Sequence, residues 1–363
     1  MAELSERMRA LVQPHLAGIE PYDPNFTPTR INLSANENTY PLPDGVRAAI
    51  DGALAATPLN RYPDPMSGAL RDELAAWHGV ARENVCVGNG GDELLYNFLL
   101  AFGGQGRTLL VCPPCFSEYE FFASLTQTSV RTVRRDRKTL RVDEKATLAA
   151  AQTADLVIVT SPNNPTGDAL PVSFVAQLCR ACPGMVMLDE AYIEFADAGY
   201  DACGLLASCP NLVILHTLSK AFGEAGIRCG YVIAAADAIE VFAAVRQIYS
   251  VNVLTQAAAL AAAQMRNAFV PVVEKIRSER ERMLAALESD ERVQAWPSQG
   301  NFLLVRIDEA SAIRRRLRDE HSILVRDFSA VPGLEGCLRI TVGTPEENDE
   351  VLAALGALLD EEA

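Results

Sequence analysis

The chain has no apolar run long enough to span a bilayer; its richest, residues 257–263, is short and mostly alanine. A membrane-spanning helix is excluded on that ground. No apolar segment follows the charged residues 1–9, so no secretory signal is expected, and the reading is a cytoplasmic protein. Positive charge is in deficit: the net charge is −15, which argues against a nucleic-acid surface. A phosphorylated small molecule stays compatible, because the field inside a site is local. The nine cysteines are an odd number without a signal, so a disulfide framework is not expected. Histidine is scarce; His15, His78, His216 and His321 lie far apart with no ligand spacing, and His216 reads as packing. Two C-x-x-C pairs, Cys112/Cys115 and Cys179/Cys182, have a spacing known from zinc sites. Cys112 ends a strand, however, and Cys179 falls in a helical stretch, so no metal is expected. Repeats and low-complexity linkers are also missing.

What is present is ordinary for a globular protein: 363 residues, 49% hydrophobic and 22% charged. The length suits one large α/β domain with a smaller companion. Residues 1–35 read as an arm, with a helix over 4–16 and then a proline-punctuated extended stretch. Over residues 36–270 strands and helices alternate, which predicts a mostly parallel sheet covered on both faces. Helices are expected at 257–265 and 272–287, with Pro271 breaking or kinking the path between them. Residues 271–363 then read as a small α+β domain. Its pattern is strand 302–307, helix 309–320, strands 323–326 and 337–342, and helix 345–359.

Four segments carry chemistry. In Thr217-Leu218-Ser219-Lys220-Ala221-Phe222-Gly223, a lysine follows a hydroxyl, and Arg228 lies eight positions on. A lysine that forms a Schiff base needs a neutral amine in a partly dry pocket. A phosphate beside it needs a hydroxyl and a guanidinium fork. Pyridoxal phosphate asks for both; a loop with a surface lysine would also fit this stretch alone. The run Val186-Met187-Leu188-Asp189-Glu190-Ala191-Tyr192 reads as a buried strand ending in an acid. Ligands of open α/β sheets sit beyond such strand ends. Asp189 can pair with a pyridinium nitrogen and Tyr192 can donate to a ring oxygen; equally, the acid could cap a helix. In Ser161-Pro162-Asn163-Asn164-Pro165-Thr166-Gly167, the Asn164 amide is a donor held in a turn, though a plain loop would look the same. Gly88-Asn89-Gly90-Gly91-Asp92-Glu93 reads as a strand, a glycine turn and a helix start, an anion site. It is no dinucleotide fingerprint, since the third glycine of that pattern would fall at Glu93.

These motifs resemble the fold type I pyridoxal-phosphate-dependent aminotransferases, and within them the histidinol-phosphate aminotransferase family. The resemblance runs from about Pro21-Tyr22 to Thr341-Val342-Gly343-Thr344. It includes Leu33-Ser34-Ala35-Asn36-Glu37-Asn38, Asn60-Arg61-Tyr62-Pro63-Asp64, Cys112-Pro113-Pro114, Ile323-Leu324-Val325-Arg326-Asp327 and Gly336-Cys337-Leu338-Arg339-Ile340. It implies an α/β fold with a mostly parallel large domain and a smaller α+β C-terminal domain, and pyridoxal 5'-phosphate as cofactor. Lys220 would be the Schiff-base lysine and Asp189 the pyridinium partner, with Asn164 and Tyr192 on the ring oxygen. Ser219, Arg228 and the backbone of Gly91 and Asp92 would hold the phosphate, and Phe116 would stack on the ring. Tyr62 would reach the cofactor of a neighbouring subunit in a homodimer. Tyr22, Asn36, Arg326 and Arg339 would contact substrate. Cys115-Phe116-Ser117 and Asn38-Thr39-Tyr40-Pro41 depart from the family's usual runs at the ring and at the entrance.

The implied reaction is transamination of L-histidinol phosphate with 2-oxoglutarate, giving imidazole acetol phosphate and glutamate, a step of histidine biosynthesis. Arg326 and Arg339 would hold the phosphate of one substrate and a carboxylate of the other. The alternatives are an aromatic amino acid aminotransferase or a threonine-phosphate decarboxylase on the same fold. A cofactor-sensing regulator would need an appended DNA-binding domain, for which no room is expected.

Overall fold

The computed structural model describes residues 5–18 and 27–362, the side chain of residue 362 excepted. Tyr22 lies outside the described residues. Two sheets organise the chain. The larger has seven strands in the spatial order Val85–Asn89, Cys229–Ala234, Leu212–Thr217, Met185–Asp189, Leu156–Thr160, Thr108–Val111 and Ser129–Thr132. Cys229–Ala234 runs antiparallel to both neighbours; the remaining pairs are parallel. The central strands are buried along nearly their whole length, only Met185 being half-buried, as their apolar runs require once helices cover both faces.

The smaller sheet has five strands in the order Ile31–Leu33, Ile323–Asp327, Cys337–Thr341, Phe302–Arg306 and Gln294–Trp296. Two of these were not expected. Ile31–Leu33 lies within the stretch read as an arm, yet it pairs in parallel with Ile323–Val325. Gln294–Trp296 is too short to show an alternation. The N-terminal helix is also shorter than expected, Glu6–Leu11, followed by a 3-10 turn at Pro14–Leu16. Pro14 cannot donate the bond a continuing helix needs. Pro271 sits in the first turn of the helix Val270–Glu288, where its missing N–H has no acceptor to lose. The path breaks just before it, at the 3-10 turn Arg266–Phe269.

One hydrophobic core joins the two sheets. It runs from Val85, Val87 and Tyr231 of the large sheet, through the helix Val253–Gln264, to Phe302, Leu338 and Ile340 of the small one. No helix among the described residues is long and apolar enough to cross a membrane.

Candidate active site

The carboxyl ends of the parallel strands and one face of the small sheet enclose a cavity of about 430 Å³. Eleven of the residues singled out in the sequence line it: Gly91, Asp92, Phe116, Asn164, Asp189, Tyr192, Ser219, Lys220, Arg228, Arg326 and Arg339.

Lys220 follows the strand Leu212–Thr217, and its Nζ donates to the Ala35 carbonyl at 2.9 Å. Burial, reinforced by the Arg339 guanidinium, lowers its pKa to about 8. That puts the neutral amine within reach near physiological pH. Asp189 ends its strand 5% exposed, and burial raises its pKa. Two donors work against that shift: the Tyr119 hydroxyl at 2.6 Å and the Ala191 amide at 3.0 Å. Tyr119 also lies 2.6 Å from Thr160 Oγ1, at the end of the next strand. Sequence reasoning missed both Tyr119 and Thr160. The signal available was proximity: Tyr119 lies three residues past Phe116, in the first turn of the helix Glu118–Leu125.

The Tyr192 hydroxyl accepts from Asn36 Nδ2 at 3.0 Å, so its own proton is left to donate. Asn36 does not line the cavity; it lies buried behind it, in the left-handed region at φ 55°. The hydroxyl and amide of Thr341 and Asn301 hold it there. Asn164 Oδ1 accepts from Arg339 Nη1 at 2.5 Å, which points the amide nitrogen of Asn164 elsewhere.

At the other end the helix Gly90–Phe102 begins, and its first N–H groups have no intrahelical acceptor. Ser219 sits beside them, with its Oγ accepting from Thr217 Oγ1 at 3.0 Å. Arg228 has φ 54°, a conformation rare outside glycine, and its Nη2 donates to Asp92 Oδ2 at 2.8 Å. A Cβ on Gly90 would lie 2.5 Å from that same Nη2, so only glycine lets the guanidinium lie against the helix start. A hydroxyl, a guanidinium and free amides around one point make an anion cup.

Arg326 and Arg339 are directly opposed across the antiparallel strands Ile323–Asp327 and Cys337–Thr341, so their side chains leave the same face. Arg339 is 6% exposed, donates to the Ser34 carbonyl, and lies 5.6 Å and 5.5 Å from the ring centres of Phe302 and Phe328. The carbonyls of Ser34 and Ala35 thus each hold one cation of the site. Tyr62 is not in the cavity; it is 81% exposed and stacks on Tyr249 with ring centres 4.7 Å apart.

A model of the aminotransferase class I and II family matches residues 28–355. The chain is 39% identical over 345 residues to histidinol-phosphate aminotransferase 1 of Carboxydothermus hydrogenoformans, covering 94% of this chain and 97% of that one. The chain belongs to the histidinol-phosphate aminotransferase family. Another relative of this aminotransferase is the histidinol-phosphate aminotransferase of Paenarthrobacter aurescens, 38% identical over 99% of this chain and 98% of that one. Among solved structures, it superposes on histidinol-phosphate aminotransferase from Sinorhizobium meliloti in complex with pyridoxal-5'-phosphate. That match has a TM-score of 0.89 and 27% identity, and covers all of both chains.

The cysteine pairs of this aminotransferase serve packing. Cys112 lies 3.5 Å from Thr147 Oγ1, and Cys182 Sγ lies against the Ala154 and Met185 carbonyls. Burial pushes the Cys115 thiol up to about 12, which keeps it protonated beside the cavity.

Proposed function

We propose that this aminotransferase binds pyridoxal 5'-phosphate in the cavity and moves the amino group of L-histidinol phosphate to 2-oxoglutarate, as a cytoplasmic homodimer. The residues present fit the cofactor. An anion cup stands at one end, a buried carboxylate at the strand ends, and an amine of lowered pKa between the sheets. Ser219, Arg228 and the amides of Gly91 and Asp92 would hold its phosphate; Asn164 and Tyr192 would hold its ring oxygen. Phe116 would cover the ring, and Asp189 would keep the ring nitrogen protonated. When bound, the group supplies an electron sink that acidifies the carbon bearing the substrate's amine.

Lys220 Nζ would take the proton from that carbon as general base and, as general acid, give it up to a different carbon, which is what separates amino-group transfer from racemisation. Tyr22, Arg326 and Arg339 would position the substrate, with Asn36 acting from behind the cavity through the Tyr192 hydroxyl, and Tyr62 of each subunit would complete its neighbour's phosphate site. The observation that carries the substrate reading is the opposed pair Arg326 and Arg339 on the cavity wall. Two guanidinium forks on one face suit a phosphate dianion or a carboxylate, so one site can serve both substrates in turn.

The test is a half-reaction. The cofactor-loaded protein is mixed separately with L-histidinol phosphate, glutamate, phenylalanine and threonine phosphate, with no acceptor present. Fast loss of the cofactor's visible band with the first two alone is the expected result. Preference for phenylalanine would make the enzyme an aromatic aminotransferase, and carbon dioxide from threonine phosphate would make it a decarboxylase.

A further inference from the structure

Behind the cavity, on the reverse face of the same strands, four more reactive side chains converge. Successive strand residues point to opposite faces. Leu215 and Thr217 line the cavity, so His216 between them faces away, and Glu190 follows Asp189 in the same sense. His216 and Glu190 are 3% and 0% exposed. The helix Gly68–His78 delivers His78 as its last residue, and the 3-10 turn Cys203–Leu205 delivers Cys203 as its first. Cys203 Sγ lies 3.5 Å from His78 Nδ1 and 3.9 Å from His216 Nε2. Glu190 Oε2 lies 3.5 Å from His216 Nε2. Ligand atoms of Glu190, Asp201 and Cys203 also fall within 4.8 Å of one another.

These separations have a chemical meaning. Nitrogen and oxygen donors at about 2.0 Å and sulfur at about 2.3 Å from a tetrahedral ion stand roughly 3.3–3.6 Å apart. Glu190 Oε2 is buried and has no hydrogen-bond partner. A buried acceptor left that way is destabilising, and a cation at that point would remove the penalty. His78 Nε2 lies 2.9 Å from the Tyr231 hydroxyl, so Nδ1 is the nitrogen turned toward Cys203. Metal-bound imidazoles are oriented in this way, through the ring nitrogen that does not bind the ion.

We infer that His78, Cys203 and His216, whose ligand atoms all lie within 4.8 Å of one another, form a site for a divalent ion of the zinc class, with the Glu190 carboxylate beside it and entry from solvent past the exposed Asp201. A thiolate and a carboxylate balance the charge of such an ion, and a mixed sulfur, nitrogen and oxygen set favours it over magnesium or calcium. Three protein donors with a buried carboxylate beside them suit a four-coordinate ion. The ion would tie the end of one helix and one turn to the two strands that present Asp189 and lead into Lys220. The sequence reading expected no metal, because these ligands are up to 138 residues apart and share no spacing.

Chelator-treated holoprotein, kept reduced, is titrated with cobalt(II) chloride. One equivalent should produce the intense visible bands of tetrahedral, thiolate-bound cobalt. Zinc should displace them and raise the melting temperature. Cys203→Ser and His78→Ala should abolish the bands while keeping the far-ultraviolet circular dichroism and a cooperative thermal transition. Tyr231→Phe should keep the bands with affinity roughly tenfold to a hundredfold weaker. Absence of the bands in the wild-type protein, or their persistence in Cys203→Ser, would overturn the site.

Discussion

Lys220 and Asp189 show how burial sets protonation at single residues. Burial lowers the lysine to about 8 and raises the aspartate. Only the neutral amine attacks an aldehyde. Uptake of pyridoxal phosphate by the cofactor-free protein should therefore speed up as pH rises and level off above about 8; stopped-flow absorbance reads this directly. A rate flat between pH 6 and pH 9, roughly a unit or more either side, would contradict a titrating lysine. Lys220→Ala should lose both uptake chemistry and turnover. Asp189→Asn should retain bound cofactor but lose about 10²–10³-fold in turnover, since it removes a charge placed where charge develops. Tyr119→Phe removes one donor to that carboxylate and should cost only about tenfold, the equivalent of one hydrogen bond to a charged group. The lysine, the acid, the asparagine and the phosphate cup were legible because each lies in a compact run with its own chemistry. Tyr119 was not, because its partner Asp189 is 70 residues away and only the fold joins them.

At the scale of elements, long buried strands were readable from their apolar runs, while Pro14 and Pro271 were misjudged as to where helices stop and start. The short edge strands were not readable. Ile31–Leu33 has three residues, too few for a period, and it exists because Ile323–Val325 offers an edge to pair with. The glycine turn before the helix Gly90–Phe102 makes its own prediction. Gly90 has φ +81°, and a Cβ there would press on the Arg228 guanidinium. Gly90→Ala should lower stability by about 1–3 kcal/mol through backbone strain and weaken the hold on the cofactor phosphate. Denaturant midpoints and equilibrium dialysis of pyridoxal phosphate measure the two effects. A variant with unchanged cofactor affinity would show that Arg228 does not need that approach.

For the whole molecule, the candidate site is built from both sheets. The large sheet carries Lys220, Asp189 and the anion cup; the small one carries Arg326 and Arg339. Arg339→Lys keeps the charge but loses the planar fork. It should raise KM for histidinol phosphate and for glutamate together, by about tenfold or more, if both anions meet the same guanidinium as proposed. An effect on one substrate alone would mean the two anions bind at different places. The exposed Tyr62 belongs to this scale too. If each subunit completes its neighbour, mixing Lys220→Ala chains with Tyr62→Ala chains should recover activity that neither has alone.

The core that runs unbroken from Val85 to Phe302 has a consequence for unfolding. Neither sheet can come apart without wetting side chains that belong to the other. Heat should therefore melt both sheets together, in one calorimetric transition rather than two. A protein severed after residue 270 would leave two fragments, each with one side of that core bared to water and prone to stick to its own kind.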